Sequence, residues 1–305
     1  MMKNKFLLVF ILMLSVLAGC NSSQGPSDTT TYGELTLSAD ETIKPLVDSE
    51  VGTFTSIYSY AHVKVNYKPQ EEAFNDLMND TIRLIIVARP LNKSELDEFK
   101  RWEIVPKITK VAHDAVALIS NHEFKDSVIT MQELKNLLSG TPDKKFKKTK
   151  VVFDNNNSST ITAVKEKTGT AQLSPDCYAL NSSQDVIDYV KKDKNSIGVI
   201  GVNWISNTDS SQQMFLPSVK VLEVAKTDTS ESYKPYQAYI ALNQYPLSRD
   251  IYILSKEAYT GLGTGLTAFI ASDRGQRIVL KFGLVPATMP VRLVEINHET
   301  YKVVK

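Results

Sequence analysis

Three short segments carry residue types that can hold an anion. In Phe153-Asp154-Asn155-Asn156-Asn157-Ser158-Ser159-Thr160, a strand pattern gives way to a helical one. The amides of Ser158, Ser159 and Thr160 would then stand at a helix N-terminus, where N–H groups lack partners and the helix dipole favours negative charge. The hydroxyls of Ser158 and Thr160 add donors, and Asn157 stands beside them. The same residue types are the usual helix caps, and taken alone the segment favours a plain N-cap. Ser38-Ala39-Asp40-Glu41-Thr42 makes the same passage from strand to helix and offers Glu41 and Thr42. In Ala88-Arg89-Pro90, Arg89 follows an apolar strand that Pro90 stops. Its planar cationic fork suits an oxyanion, although the position fits a surface arginine equally well. In open parallel sheets ligand crevices form at the carboxyl ends of strands, so the three junctions can converge on one site.

Covalent chemistry asks for more than these segments supply. A surface-anchored hydrolase would use Ser158 or Ser159 as nucleophile, but no Gly-x-Ser-x-Gly elbow is present and no histidine lies near either serine in sequence. His113-Asp114 is the one tempting pair. His62, His113, His122 and His298 have no metal-ligand spacing, and neither Cys-x-x-Cys nor His-Glu-x-x-His occurs, so neither a metal nor a cofactor is expected. Gly261-Leu262-Gly263-Thr264-Gly265 lacks the lysine and spacing of a phosphate-cradling loop and reads as a turn before the last helix. A net charge of +1 with both signs interspersed leaves no electrostatic footprint for nucleic acid.

The elements that must position these residues alternate. Glu34–Ser38 reads as a strand, and the apolar residues Ile43, Leu46, Val47, Val51 and Phe54 follow near helical spacing. His62–Tyr67 and Ile82–Ala88 read as strands around a helix from Glu71 to Asn79. Strands alternating with helices imply a mostly parallel sheet covered on both faces. After an apolar strand near Ile108 to Ser120 the alternation resumes with a helix from Met131 to Ser139, a strand at Lys150–Phe153 and helices over Ser159–Lys167 and Gln184–Lys192. A strand-like stretch from Tyr236 to Leu242 and a long helix around Gly265 to Phe282 complete the chain. No fixed-period repeat is present.

The first twenty residues have a basic start at Lys3 and Lys5, an apolar stretch from Phe6 to Leu17, and Leu17-Ala18-Gly19-Cys20. This is a secretory signal, too short for a stable spanning helix, ending in a lipobox that makes Cys20 the acylated residue. Residues 1-19 are expected as the signal peptide and 20-32 as a flexible polar tether. Lipidation of Cys20 leaves Cys177 alone, so no disulfide is expected. About 270 residues remain, enough for two domains of ordinary size.

The order of motifs resembles the periplasmic phosphate-binding proteins of phosphate ABC importers. Gly33–Leu37 with Thr42-Ile43-Lys44-Pro45-Leu46 resembles the family's opening strand and Ser-Thr-x-x-Pro-Leu turn, and Ala88-Arg89-Pro90-Leu91 its Ser-Arg-Pro-Leu segment. Val111–Ala117 is similar to the strand entering the second domain, Thr130–Gly140 to a helix ending in Phe-Ser-Gly, and Ser158-Ser159-Thr160 to Ser-Gly-Thr. Ile197–Gly201, Tyr245–Arg249 and Ser272–Gln276 resemble later motifs. The resemblance implies an α/β fold of type II periplasmic-binding-protein architecture, two lobes with the ligand cleft between them. It assigns 33-117 and 243-305 to lobe 1 and 118-242 to lobe 2, and makes Asp114 a structural carboxylate at the crossing. It further implies an extracytoplasmic, lipid-anchored monomer with no catalytic residue that delivers phosphate to an ABC importer permease. A receptor for another oxyanion, or a ligand-sensing lipoprotein, is the alternative. The sequence also departs from the family. Asp40 and Glu41 stand where small or hydroxyl residues are usual, Ser159 replaces a glycine, and Asp154 takes the approximate place of a phosphate-contacting arginine.

Overall fold

The computed structural model describes residues 28–206, 208 and 214–290. The expected signal segment and Cys20 lie outside the described residues, as do residues 291–305. Strands β1 (Gly33–Asp40), β2 (Ala61–Lys68) and β3 (Leu84–Val87) are parallel, with β1 in the middle. Side chains alternate across a strand, and β3 shows it: Leu84 and Ile86 join one apolar cluster while Ile85 and Val87 join another. The first cluster is completed by Leu46, Val47 and Phe54 of α1 (Lys44–Ile57), the second by Ala73, Phe74 and Leu77 of α2 (Gln70–Met78) and Phe99 of α3 (Lys93–Arg101). A sheet buried on both faces accounts for the continuous apolar run of β3.

The 14-residue β4 (Lys107–Ser120) ties the two halves together. Its first part pairs antiparallel with β12 (Ser248–Ser255), which in turn pairs with β3. Its last part pairs antiparallel with β8 (Ser196–Gly201), beside which β6 (Lys150–Phe153) and β7 (Cys177–Ala179) run parallel. The second half has its own apolar core, with Leu134 and Leu138 of α4 (Met131–Leu138), Ile161 and Val164 of α5 (Ser159–Thr168), and Val186 and Val190 of α6 (Ser183–Lys192). A small sheet of β5 (Val128–Thr130), β10 (Glu223–Ala225) and β11 (Ser232–Tyr233) flanks it, and β9 (Lys220–Val221) and β13 (Val285–Pro286) add short pairings to β4. The short helix α7 (Val202–Ile205) follows β8.

Three local expectations are corrected. The stretch from Tyr236 to Leu242 contains a helix, α8 (Gln237–Ala241), in which Ile240 is buried and Tyr239 packs on the same core, Tyr236 meets the Tyr239 ring one turn on, and Leu242 is exposed. The long C-terminal helix breaks at Ser272 into α9 (Leu262–Ala271) and α10 (Asp273–Lys281). The glycine-rich segment is the first turn of α9 itself, and it needs small residues because the N-terminal segment lies on it. A β carbon on Gly265 would meet the Thr30 carbonyl oxygen at 1.9 Å. Within the segment expected as tether, Asp28 and Thr30 lie against α9, while Thr29, Thr31 and Tyr32 are exposed. Asp28 is buried and accepts the Leu262 N–H at 2.9 Å, while Glu257 accepts those of Gly263 and Thr264 at 3.2 and 2.7 Å. The open donors of this helix end are satisfied by the protein's own carboxylates. Among the described residues no helix is long and apolar enough to cross a membrane.

Candidate functional site

β1 and β6 end facing one another across the line where the two halves meet, and each feeds a helix. At the end of β1, Asp40 caps a 3₁₀ turn over Glu41–Ile43, accepting the Thr42 N–H at 3.1 Å and the Thr42 hydroxyl at 2.8 Å. At the end of β6, Ser158 caps α5, accepting the Ile161 N–H at 3.4 Å. The amides of Ser159 and Thr160 in that first turn have no acceptor among the described residues. The hydroxyls of Thr42 and Ser159 meet at 2.8 Å across the cleft. Ser159 also donates to Asp40, and Asn203 of α7 donates its side-chain N–H to the Thr42 carbonyl at 2.9 Å.

The cation of this cluster is Arg249. It stands at the start of β12 opposite Asp114 in the crossing strands and donates its Nε to Asp114 at 2.8 Å. Its Nη1 reaches the Ser159 hydroxyl at 2.6 Å and its Nη2 the Thr42 hydroxyl at 3.1 Å. Asp40, Thr42, Asp114, Ser158, Ser159, Thr160 and Arg249 are all buried. Deeper along α5, the Thr160 hydroxyl donates to Asp154 at 3.1 Å and contacts the Ser158 hydroxyl at 2.8 Å. The site thus presents hydroxyls, two open amides and one guanidinium at the junction of both lobes. The Thr42 and Ser159 hydroxyls bond each other and Asp40, and the guanidinium bonds Asp114 and both hydroxyls.

Electrostatics sets the terms for any ligand. Four carboxyls, Asp40, Glu41, Asp114 and Asp154, surround one guanidinium. Burial pushes Asp40 above the usual carboxylate range against the pull of Arg249 and the Ser159 and Thr42 hydrogen bonds. Burial likewise raises Asp114, opposed by Arg249. Asp154 is raised by burial and by the charge of Asp40. Glu41 is raised to about 7, first by burial and then by the nearby charge of Asp154.

Of the residues singled out in the sequence, Thr42, Ser158, Ser159 and Thr160 come together here, and Glu41 stands at the edge of the cluster. Asn157 is exposed, its N–H turned back to the Asn155 side chain at 2.8 Å. Arg89 is not brought in. Its guanidinium is held by Glu71 of α2 and Glu95 of α3 at 3.0 and 2.9 Å and lies 3.5 Å from the centre of the Phe74 ring. Sequence reasoning did not name Arg249 or Asn203 as site residues, and took Asp114 as a structural carboxylate at the crossing. The available signal was the arginine closing the Tyr245–Arg249 motif, at the start of a strand that turns apolar after Asp250. The tempting His113-Asp114 pair is split by the strand alternation, since His113 bonds Asp250 at 2.6 Å while Asp114 turns to Arg249.

Residues 24–274 match the model of the PBP superfamily domain. The chain is 25% identical over 304 residues, 93% of its length and 99% of the relative's, to the phosphate-binding protein PstS of Borreliella burgdorferi. A candidate phosphate ABC transporter substrate-binding protein from Clostridium perfringens, with bound phosphate, superposes with a TM-score of 0.71 at 20% identity, covering 84% of this chain and all of the other (100%). An ABC-type phosphate transport receptor from Vibrio cholerae gives 0.63 at 18% identity, over 84% and 100%. The fold is that of these two-lobed binding proteins.

Proposed function

The chain belongs to the PBP superfamily, and from that premise we propose that it is a phosphate receptor of an ABC importer, binding its cargo between the lobes without chemical change. The observation that carries this reading is the buried cluster made from both lobes, in which Thr42, Ser159 and the amides at the start of α5 meet the guanidinium of Arg249. Donors of this kind are what a tetrahedral oxyanion takes from a protein. The full-length likeness to a phosphate-binding relative supports phosphate over other oxyanions. In this reading Thr42, Ser159, Thr160 and Arg249 are the ligand residues, with Ser158 shaping the turn and Asn157 at its rim.

A hydrolytic reading through Ser159 would have no histidine as base. The acceptor beside the Ser159 hydroxyl is Asp40, with Arg249 as a second neighbour, and His113 is engaged with Asp250. The export signal and lipobox motif support an extracytoplasmic protein anchored through Cys20.

Calorimetry with inorganic phosphate tests the receptor reading. Saturable binding that Ser159→Ala weakens, with no turnover of a chromogenic phosphate ester, is the expected result. Absence of phosphate binding, or ester turnover that Ser159→Ala removes, overturns it. Anchoring is checked separately, since Cys20→Ser is expected to move the protein from membrane pellet to soluble fraction.

A further inference from the structure

The strands of the first lobe share one end that points away from the cleft. β1, β2, β3 and β4 start there, at Gly33, Ala61, Leu84 and Lys107, and the antiparallel β12 finishes there at Ser255. α1 and α3 run back from the cleft side and bring their last residues, Ile57 and Arg101, to the same pole. Large apolar side chains stand uncovered on it. Tyr32 and Tyr60 precede β1 and β2 with ring centroids 6.3 Å apart, and are 55% and 71% exposed. Trp102 packs edge-on against Phe99 yet stays 42% exposed, and Val105, in the loop before β4, is 88% exposed. With Ile57 and Ile108, six of the eleven exposed large apolar side chains among the described residues gather at this pole.

The N-terminal segment joins the body at the same place. Asp28 accepts the Leu262 N–H at 2.9 Å and pairs at 3.6 Å with Arg83, the residue before β3. The eight residues from Cys20 to Asp28 span at most about 28 Å, whatever path they take. A lipid on Cys20 therefore brings this pole, ahead of the rest of the body, to the bilayer surface. Tyrosine and tryptophan suit the boundary between headgroups and acyl chains, where the ring is apolar and its polar tip stays wet. Charges at the pole partly cancel, since Lys256 pairs with Asp80 at 2.7 Å and Arg83 with Asp28.

We propose that this pole is a membrane seat, in which Tyr32, Tyr60, Trp102 and Val105 rest among the headgroups of the bilayer that holds the Cys20 lipid. The inference rests on the anchoring reading, and not on the identity of the cargo. Seven steps of about 3.3 Å separate Gly33 from Asp40, so a seated protein carries its cleft about 23 Å above the lipid, open to solvent.

The two tryptophans of the chain separate seat from body, because Trp102 is at the pole and Trp204 lies in α7 beside the cleft. The full-length lipidated protein is placed in phosphatidylcholine vesicles brominated on the acyl carbons near the headgroup, where bromine quenches tryptophan on contact. Compared with unbrominated vesicles, the wild type is expected to lose the Trp102 share of its emission. Trp102→Phe, which leaves Trp204 alone, is expected to lose none. Replacing Tyr32 and Tyr60 together by serine, at exposed positions, is expected to restore most of the lost emission. Wild-type emission equal in both vesicles, with the protein still sedimenting with them, overturns the seat and leaves the anchor standing. That is the result if a second copy or a protein partner covers the pole instead. Quenching that persists in Trp102→Phe also overturns it, because the body then meets the bilayer by another face. Sedimentation unaltered by Cys20→Ser overturns the anchoring reading, and quenching of Trp102 in that variant then upholds the seat without it.

Discussion

Glu50 offers a stability measurement that does not depend on the ligand. It lies on the inward face of α1 among Leu46, Val47, Val51 and Phe54, is 1% exposed, and neither carboxyl oxygen has a hydrogen-bond partner. Burial alone raises its pKa from 4.5 to about 9. The folded protein therefore holds Glu50 neutral at neutral pH, whereas the unfolded chain ionises it. At pH 7 the unfolded state gains about 3 kcal/mol from that ionisation, 1.36 kcal/mol for each unit by which pH exceeds the ordinary value, and about 6 kcal/mol by pH 9. Because the folded pKa is the raised one, Glu50 leaves stability undiminished below about pH 4.5 and erodes it as pH climbs to about 9.

Glu50→Leu keeps the apolar packing, removes two unpartnered oxygens and abolishes the titration. It is expected to stabilise the protein by about 3 kcal/mol at pH 7, or roughly 6 °C in Tm for a chain of this size. The gain should be small at pH 5 and larger at pH 8.5. Urea melts of both proteins across that range, read by far-UV circular dichroism, give the difference directly. A wild type and variant whose stabilities run parallel with pH would show that Glu50 is ionised or hydrated in the folded state, and the burial argument would be refuted.

Other substitutions separate the site from its surroundings. Ser159→Ala and Thr160→Ala are each expected to weaken phosphate binding by roughly tenfold to a hundredfold, since a lost donor to a charged ligand costs about 1.5 to 3 kcal/mol. Arg89→Ala should leave affinity unchanged in the same calorimetric titration, because its guanidinium is committed to Glu71 and Glu95. Phosphate carries a proton near neutral pH and sulfate does not, so the carboxyls of Asp40 and Asp154 should favour phosphate by at least about a hundredfold. Asp154→Asn should narrow that gap, and equal affinities in the wild type would contradict it. Gly265→Ala should lower Tm, because its β carbon would meet the Thr30 carbonyl oxygen at 1.9 Å, whereas Gly52→Ala has open space around it and should add about 0.5 to 1 kcal/mol.

The fold was legible where the signal is local. The alternation of strand and helix in the first lobe, and the capping residue at Ser158, need only a few neighbouring residues to read. What failed depends on partners far away in sequence. Arg89 and Arg249 each follow or open a strand, and nothing local tells them apart. Arg89 is drawn off by Glu71, 18 residues away on the neighbouring helix. Arg249 is drawn in because the antiparallel register sets it opposite Asp114, 135 residues earlier. The stretch from Tyr236 to Leu242 misled for a related reason. Its aromatic residues have high strand propensity, and their helical form is decided by packing against the second-lobe core.

The departures noted in the sequence make physical sense once the closed cleft is considered as a network. Asp40 accepts from the Thr42 and Ser159 hydroxyls, so these two donors of the proposed site already have an acceptor, unlike the Ser159 and Thr160 amides. Cargo must displace that carboxyl from the hydroxyls or bridge to it through a proton of its own. At the proposed site an oxyanion that carries a proton can keep a hydrogen bond to Asp40, whereas one without a proton would leave that buried carboxyl facing it unpaired.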